Sequence, residues 1–493
     1  MSMARKTTAW TSADSILAAA LAGQLDERRA RRLAQQGPEV AALALLALTR
    51  RIAELQAQVH KAVTPSPATP SGMVPIYTKP NTPRRRKSPG AKPGHPGRRR
   101  PRPPRIDRRE EHRLKRCPHC GGRVQRCQRS RTRIIEDIAE DIQPVVTEHA
   151  IHRDYCPKCK KHVEPVVTDA LPGATLGHHV VSLTSWFHYG LGVTIDQIVD
   201  ILQFHLHTRL TPGGLVAAWQ RIAEILLPWY EQVGWQARNS AHLHADETGW
   251  RVSGQTQWLW CFANAQVCYY LIDRCRGSPA LQKFFGEAFA GILIHDFWTA
   301  YESLDVGDRQ YCLVHLLREL EKVDQRNASA EWKAFAKTLR RLIRDGIRLR
   351  KRPDFSPEKY ARRIPRLTLR LDALVEENLS RAAAGQRVDP DVRRLCKRLR
   401  RTSDHIFTFL DYPQVPFENN FAERMIRPAV ILRKNSQSNR SERGAATQAV
   451  LMSLYRTLKL RGHDPTKTIA AALKTCVQTG QLPPLPDALT ADG

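Results

Sequence analysis

The chain has 493 residues, of which 42% are hydrophobic, enough to bury a sizeable core in two to four domains and to exclude wholesale disorder. Lys and Arg outnumber Asp and Glu by 78 to 48, a formal net charge of +30 with a pI near 10.1, so a polyanionic partner is expected. No apolar run approaches the roughly 18 residues of a membrane span, and Met1–Trp10 has no signal-peptide core. The expectation is a cytoplasmic protein with no membrane partner.

Residues 1–63 read as an N-terminal helical or coiled-coil segment. Leu45, Leu48, Ile52, Leu55 and Val59 alternate spacings of three and four, which fits a short seam between copies or packing against the chain's own domain. Residues 64–110 turn to Pro, Gly, Ser and Arg, the composition of a linker. Between Lys79 and Arg116 there are sixteen basic residues and three acidic ones, a stripe suited to tracking a phosphate backbone without reading sequence.

Residues 111–168 carry Cys117-Pro118-His119-Cys120 and Cys156-Pro157-Lys158-Cys159. Each knuckle aims two thiolates at one point, so Cys117, Cys120, Cys156 and Cys159 are expected to hold a structural zinc ion in a zinc ribbon. His119 and Cys127 are weaker substitutes. Arg131–Ile135 and Val145–Ile151 alternate as ribbon strands would. Residues 169–236 read as helices. Ile195, Ile198, Val199 and Leu202 share one face, and Leu215, Trp219, Ile222 and Leu226 another, which suits a helix-turn-helix DNA reader or an ordinary helical layer.

The period changes in 237–318. Ala241–Asp246, Gln257–Phe262 and Val267–Ile272 read as strands, with a turn at Ser253-Gly254-Gln255, then a helix near Pro279–Ala288 and an apolar strand Gly291–His295. Three strands, a helix and a further strand are the order expected of a ribonuclease-H-like mixed-sheet core. Residues 319–412 are helical and charged, with helices expected at Trp332–Arg350, Ile364–Leu379 and Val392–Phe409, and read as an all-α insertion. Residues 413–480 return to the core with its C-terminal helices, and 481–493 form a tail. The fold class expected is therefore multidomain α/β: a ribonuclease-H-like core interrupted by an all-α insertion, preceded by a zinc ribbon and an N-terminal helix.

Three acidic residues stand out. Asp246 and Asp296 close apolar stretches, and Glu423 lies on an expected helix. An ionised carboxylate at the end of a buried strand costs several kcal/mol unless paired or bound to a metal. Three such groups brought together can hold two Mg²⁺ ions (or Mn²⁺) per active site, the arrangement that cuts and joins phosphodiesters. Glu247 would point to the opposite face of its strand from Asp246. Glu418 is the rival third ligand, Arg427 a surface partner for Glu423, and Asn419 and Asn420 candidates to orient it. Arg424, Arg427, Arg433 and Lys434 make a basic face, while Cys312, His315 and Arg318 are expected to support the site floor or face DNA.

With these residues in place, the chain resembles bacterial insertion-sequence transposases of the insertion-sequence-66 family along nearly its whole length. The likeness rests on Asp246-Glu247-Thr248, the Gly291–Asp296 strand, Cys312-x-x-His315-x-x-Arg318 and Asn420-x-x-Glu423-Arg424-x-x-Arg427-Pro428. Ser441-x-x-Gly444-Ala445 and Gly462-His463-Asp464-Pro465 add to it, while Tyr189–Val193 and Leu313-Val314 depart from the family pattern. The resemblance implies a DNA transposase whose catalytic triad is Asp246, Asp296 and Glu423. Cleavage at the ends of a mobile element and strand transfer into target DNA would both be metal-dependent. It also implies double-stranded DNA as partner, a homo-oligomer, small accessory proteins of the same element and a nucleoid-associated location. The competing expectation is a domesticated, zinc-containing DNA-binding protein that no longer cuts.

Overall fold

The computed structural model describes residues 103–125, 132–138, 142–436 and 438–489, with scattered positions between 31 and 54. The basic clusters at Arg84–Lys87 and Arg98–Arg100, together with Leu55, Val59 and Cys127, lie outside the described residues. The described positions from 38 to 54 are helical, and Leu45 and Ile52 are exposed. No helix among the described residues is long and apolar enough to cross a membrane.

The chain divides into two compact units, Pro80–His149 with Val199–Thr211, and the remainder. In the smaller, Cys117 opens a tight turn: its N–H donates to the carbonyl of Gly122, and its own carbonyl accepts from Gly121. Val145–Ile151, expected as a strand, is irregular. Alternation makes a strand only where a partner edge exists, and Val145 and Val146 are almost fully exposed.

The larger unit contains a two-stranded hairpin, β1 (Asp154–Cys156) and β2 (Lys161–Val163), around the second knuckle. Helices α1 (His178–Ser185), α2 (Ile195–His205), α3 (Pro212–Ile225) and α4 (Leu227–Arg238) follow, with a π-helical turn at Trp186–Leu191. The residues of α2 beyond Ile198 group with the smaller unit. The α3 stripe Leu215, Trp219 and Ile222 is buried, as its spacing predicts.

The centre of this unit is a five-stranded mixed sheet of order β5-β4-β3-β6-β7. Its strands are β3 (His242–Val252), β4 (Gln255–Ala263), β5 (Cys268–Asp273), β6 (Ala288–His295) and β7 (Asp305–Tyr311), with α5 (Ser278–Phe285) between β5 and β6. β3, β4 and β5 are antiparallel neighbours; β6 runs parallel to both β3 and β7. One expected boundary moves: β3 does not end at Asp246 but continues for six residues. Thr248, Trp250 and Val252 are buried on one face, and Ser253-Gly254, with φ of 51° and 78°, closes the two-residue turn into β4.

Helices α6 (Leu313–Asp324), α7 (Ala330–Arg350), α8 (Ile364–Ala383) and α9 (Pro390–Thr402) form the helical block. α9 stops at Thr402, seven residues short of its expected end, and gives way to 3₁₀ turns. The block shares one apolar core with the sheet, since Ile292, Ile294 and Tyr311 pack in the same cluster as Leu339, Leu371 and Leu395. α10 (Asn420–Ser436), α11 (Glu442–Leu460) and α12 (Pro465–Thr479) complete the chain, with α11 buried along most of its length against β5. Two motifs of the family likeness are helix caps. Ser441 Oγ accepts from the N–H of Gly444, and Asp464 Oδ1 accepts from Thr466 and Lys467.

Candidate active site

Asp246 lies in the middle of β3, and Asp296 directly follows β6, the strand parallel to it. Glu423 is in the first turn of α10, a helix that packs on β3 and β4. Asp246 Oδ1 accepts from the N–H of Glu247 at 2.9 Å, and Asp296 Oδ1 from that of Trp298 at 2.9 Å. Burial pushes the carboxyl of Asp246 well above its ordinary range, and the charges of Glu247, Asp296 and Glu423 push it further. Burial likewise raises Asp296, against the opposing pull of the Trp298 N–H, Arg276 and Arg398. The third carboxylate felt by both aspartates is Glu423. Glu418 instead lines a different cleft with His242, His244, Phe421 and Arg424.

Glu423 is held by α6. Its Oε1 lies 3.3 Å from Arg318 Nη1 and 3.6 Å from His315 Nε2. The ion pair therefore runs to Arg318 and not to Arg427, one turn along its own helix. Burial lowers the pKa of the His315 imidazole. Cys312 is buried and its Sγ accepts from the N–H of Asn419 at 3.2 Å, so it braces the floor.

Asn419, expected with Asn420 to orient the Glu423 carboxylate, is 1% exposed and bonds to β3 instead. Its Nδ2 donates to the carbonyl of Ala245 at 2.8 Å, and its Oδ1 accepts from His244 Nδ1 at 2.8 Å. Asn419 thus ties the start of α10 to β3 beside Asp246 through its side-chain amide, and to the head of α6 through its backbone N–H. On the basic face, Arg424, Arg427 and Lys434 are exposed. Arg433 is committed elsewhere: it donates to Thr248 Oγ1 at 3.1 Å and to the carbonyl of Gly249, fastening α10 to β3.

Glu247 faces the other side of the sheet, as strand alternation requires. There it is buried against Arg276 at 3.0 Å and accepts from the Tyr301 hydroxyl at 2.6 Å; burial pushes its carboxyl up to about 7. Arg276 is sandwiched between Trp298, 3.8 Å from its ring centre, and Trp258, at 4.8 Å. No spacing in the sequence signals this network, because Arg276 lies in an irregular loop. Arg398 lies on a regular helix, but its partners are far away in sequence. It reaches from α9 to stack on Phe297 at 4.4 Å while pairing with the buried Glu319.

Among the described residues, no three His, Cys, Asp or Glu side chains are gathered to hold a metal ion. The donor chemistry nevertheless fits a hard divalent cation. Half-buried Asp246 and buried Asp296 are destabilised in their charged form and both feel the charge of Glu423, a cost that a cation would relieve. The buried Trp298 Nε1 and His315 Nδ1 have no hydrogen-bond partner. At the knuckles, backbone N–H groups of His119 and Cys120 lower the pKa of Cys117, and that of Cys159 lowers Cys156, as thiolate ligands require.

These features set two aspartates at neighbouring parallel strands of a mixed sheet and a glutamate on a helix packed against it. Residues 173–447 match the family described as Transposase IS66 family, and the chain belongs to that family. It is 26% identical over 252 residues to the uncharacterized protein y4qI of Sinorhizobium fredii, covering 46% of this chain and 45% of that one. It is 25% identical over 345 residues to the uncharacterized protein y4jD of the same organism, covering 62% of each. The chain thus spans between about half and two thirds of the length of these relatives.

Proposed function

We propose that this protein is a DNA transposase that cleaves phosphodiesters at the ends of an insertion sequence and joins the freed 3′-hydroxyl to target DNA at the same site. The observation that carries the reading is where the three carboxylates stand: Asp246 on β3, Asp296 directly after the parallel β6, and Glu423 in the first turn of α10, the helix packed on β3 and β4. The strand order, an antiparallel trio followed by two parallel strands, supports a ribonuclease-H-like core. Asp246, Asp296 and Glu423 would hold two Mg²⁺ or Mn²⁺ ions. When bound, these supply Lewis acidity to the scissile phosphate and to the attacking oxygen.

The chain's own residues do the positioning. Arg318 and His315 hold the Glu423 carboxylate, Asn419 fixes the helix that carries it, and Arg276 balances the charge of Asp296 and Glu247. Exposed Arg424, Arg427 and Lys434 suit a phosphate backbone. Cys117, Cys120, Cys156 and Cys159 would hold a structural zinc ion in a ribbon, with the basic 64–110 linker adding sequence-independent affinity. Binding two element ends calls for at least a homodimer; accessory proteins of the same element and a nucleoid-associated, cytoplasmic location follow from that role. The non-cleaving, domesticated alternative is disfavoured because all three carboxylates are present.

The test is incubation of the protein with labelled duplexes of its own element ends, with and without Mg²⁺. Metal-dependent nicking that Asp246→Asn abolishes supports the proposal. Binding without any cleavage refutes the catalytic reading and leaves the DNA-binding alternative.

A further inference from the structure

A cleft of about 760 Å³ opens beyond the carboxylates, between the β3–β4 hairpin, the C-terminal end of α10 and the 438–441 loop. It is lined by Arg251, Arg433 and Arg440 together with the hydroxyls of Ser253 and Ser438, and no acidic residue lines it. Its wall is preset. Asn439 exchanges backbone hydrogen bonds with Arg251 and Ser253 at 3.1 and 3.0 Å, and its Oδ1 accepts from Trp250 Nε1 at 2.7 Å. Ser438 is held at a φ of 75°, costly for a residue with a Cβ, and its hydroxyl has no partner. Arg251 and Arg440 are exposed, and neither forms an ion pair among the described residues.

The same two elements, β3 and α10, carry Asp246 and Glu423 and line the cleft, with Arg251 on the opposite face of β3 from Asp246. From Asp246, residues Gly249 and Arg251 are three and five positions further along β3, or ~10–17 Å at the rise of a strand. From Glu423, Arg433 is ten positions along α10, ~15 Å at helical rise. The exposed guanidinium groups of Arg251 and Arg440 and the unpartnered Ser438 hydroxyl, beside an Arg433 that already fastens α10 to β3, match a polyanion running past the carboxylates. We propose that this cleft grips the sugar–phosphate backbone of the DNA strand being processed. At ~3.4 Å of helix axis per nucleotide, the contact falls about three to five nucleotides from the scissile phosphate. The proposal rests on the DNA-processing reading given above and deepens it.

The test uses the full chain carrying Asp246→Asn, so that duplexes of the element ends are bound without being cut. Fluorescence anisotropy between 50 and 200 mM KCl compares this protein with one that also carries Arg251→Ala and Arg440→Ala. Loss of two phosphate contacts predicts a log affinity versus log salt slope shallower by about 2, each contact contributing ~0.9. Phosphate-ethylation interference should disappear at the positions about three to five nucleotides from the cleavage point. Ser253→Asp, which adds a carboxylate to the cleft and removes no arginine, should weaken binding in the same direction with an unchanged melting temperature. An unchanged slope and interference pattern, in a protein whose wild type binds and cuts, overturns the cleft assignment alone. A wild type with no affinity for the duplex overturns both readings.

Discussion

Asn419→Ala is the most informative single perturbation of the fold around the three carboxylates. The amide is 1% exposed and makes two side-chain hydrogen bonds, both at 2.8 Å, to the Ala245 carbonyl and to His244 Nδ1. Truncation leaves both groups buried without a partner, at about 1–3 kcal/mol each. The backbone bond from Asn419 to Cys312 survives, so the expected cost is ~2–6 kcal/mol. At roughly 2 °C per kcal/mol for a large cooperative unit, the melting temperature should fall by ~4–12 °C in a thermal shift measurement. Because Asn419 precedes α10, the carboxylate of Glu423 should also lose its fixed position relative to Asp246. Metal-dependent nicking should therefore fall more steeply than stability when both are measured well below the melting transition. A variant that melts within a degree of wild type would refute the claim that this amide pins α10 to β3. So would one that melts early yet cuts normally at low temperature.

Three further outcomes follow from the same contacts. Asp246→Asn should raise the melting temperature in chelator, since it removes a half-buried carboxylate whose charged form burial destabilises, and should blunt the stabilisation that added Mg²⁺ gives the wild type. Equal melting temperatures and equal Mg²⁺ responses would contradict this. His295 is fully buried, and burial lowers its pKa to about 3. The unfolded chain therefore binds a proton between about pH 6.5 and 3 that the folded chain excludes, so stability should drop as pH falls through that window. His295→Asn should flatten that part of the curve, and parallel curves would exclude His295 as the cause. Glu319, 4% exposed, is held by Arg394 at 2.7 Å and Arg398 at 2.5 Å. Glu319→Ala should cost about 3–5 kcal/mol, because two guanidinium groups lose a buried partner; denaturation showing under 1 kcal/mol would refute that.

What the sequence revealed depended on whether each signal was local. The run Ile292–Ile294 is buried on both faces of a central strand, so β6 was legible as a continuous apolar stretch. Ser441 and Asp464 stood out in the sequence only as positions of the family likeness, and the structure makes both of them helix caps. β3 was cut short because Asp246 and Glu247 interrupt its apolar pattern, although Thr248, Trp250 and Val252 resume the alternation. β7 carries Asp305, Asp308 and Arg309 at the sheet edge, where strand signals are weakest. The three carboxylates were recognisable as residue types in their contexts. Their placement arises from pairing between β3 and β6 and from packing of α10, which no spacing encodes. The Glu247–Arg276 pair, the Arg398–Phe297 stack and the Asn419 clasp span separations of 29 to more than 170 residues, beyond the reach of any periodicity.

Anomalous diffraction from crystals equilibrated with Mn²⁺ examines the central idea most closely. The account predicts manganese density bounded by the carboxylates of Asp246 and Asp296, with Glu423 turned from Arg318 toward the ion, and loss of that density in Asp246→Asn. Manganese bound only elsewhere, or none at millimolar concentration with element-end DNA present, would contradict it.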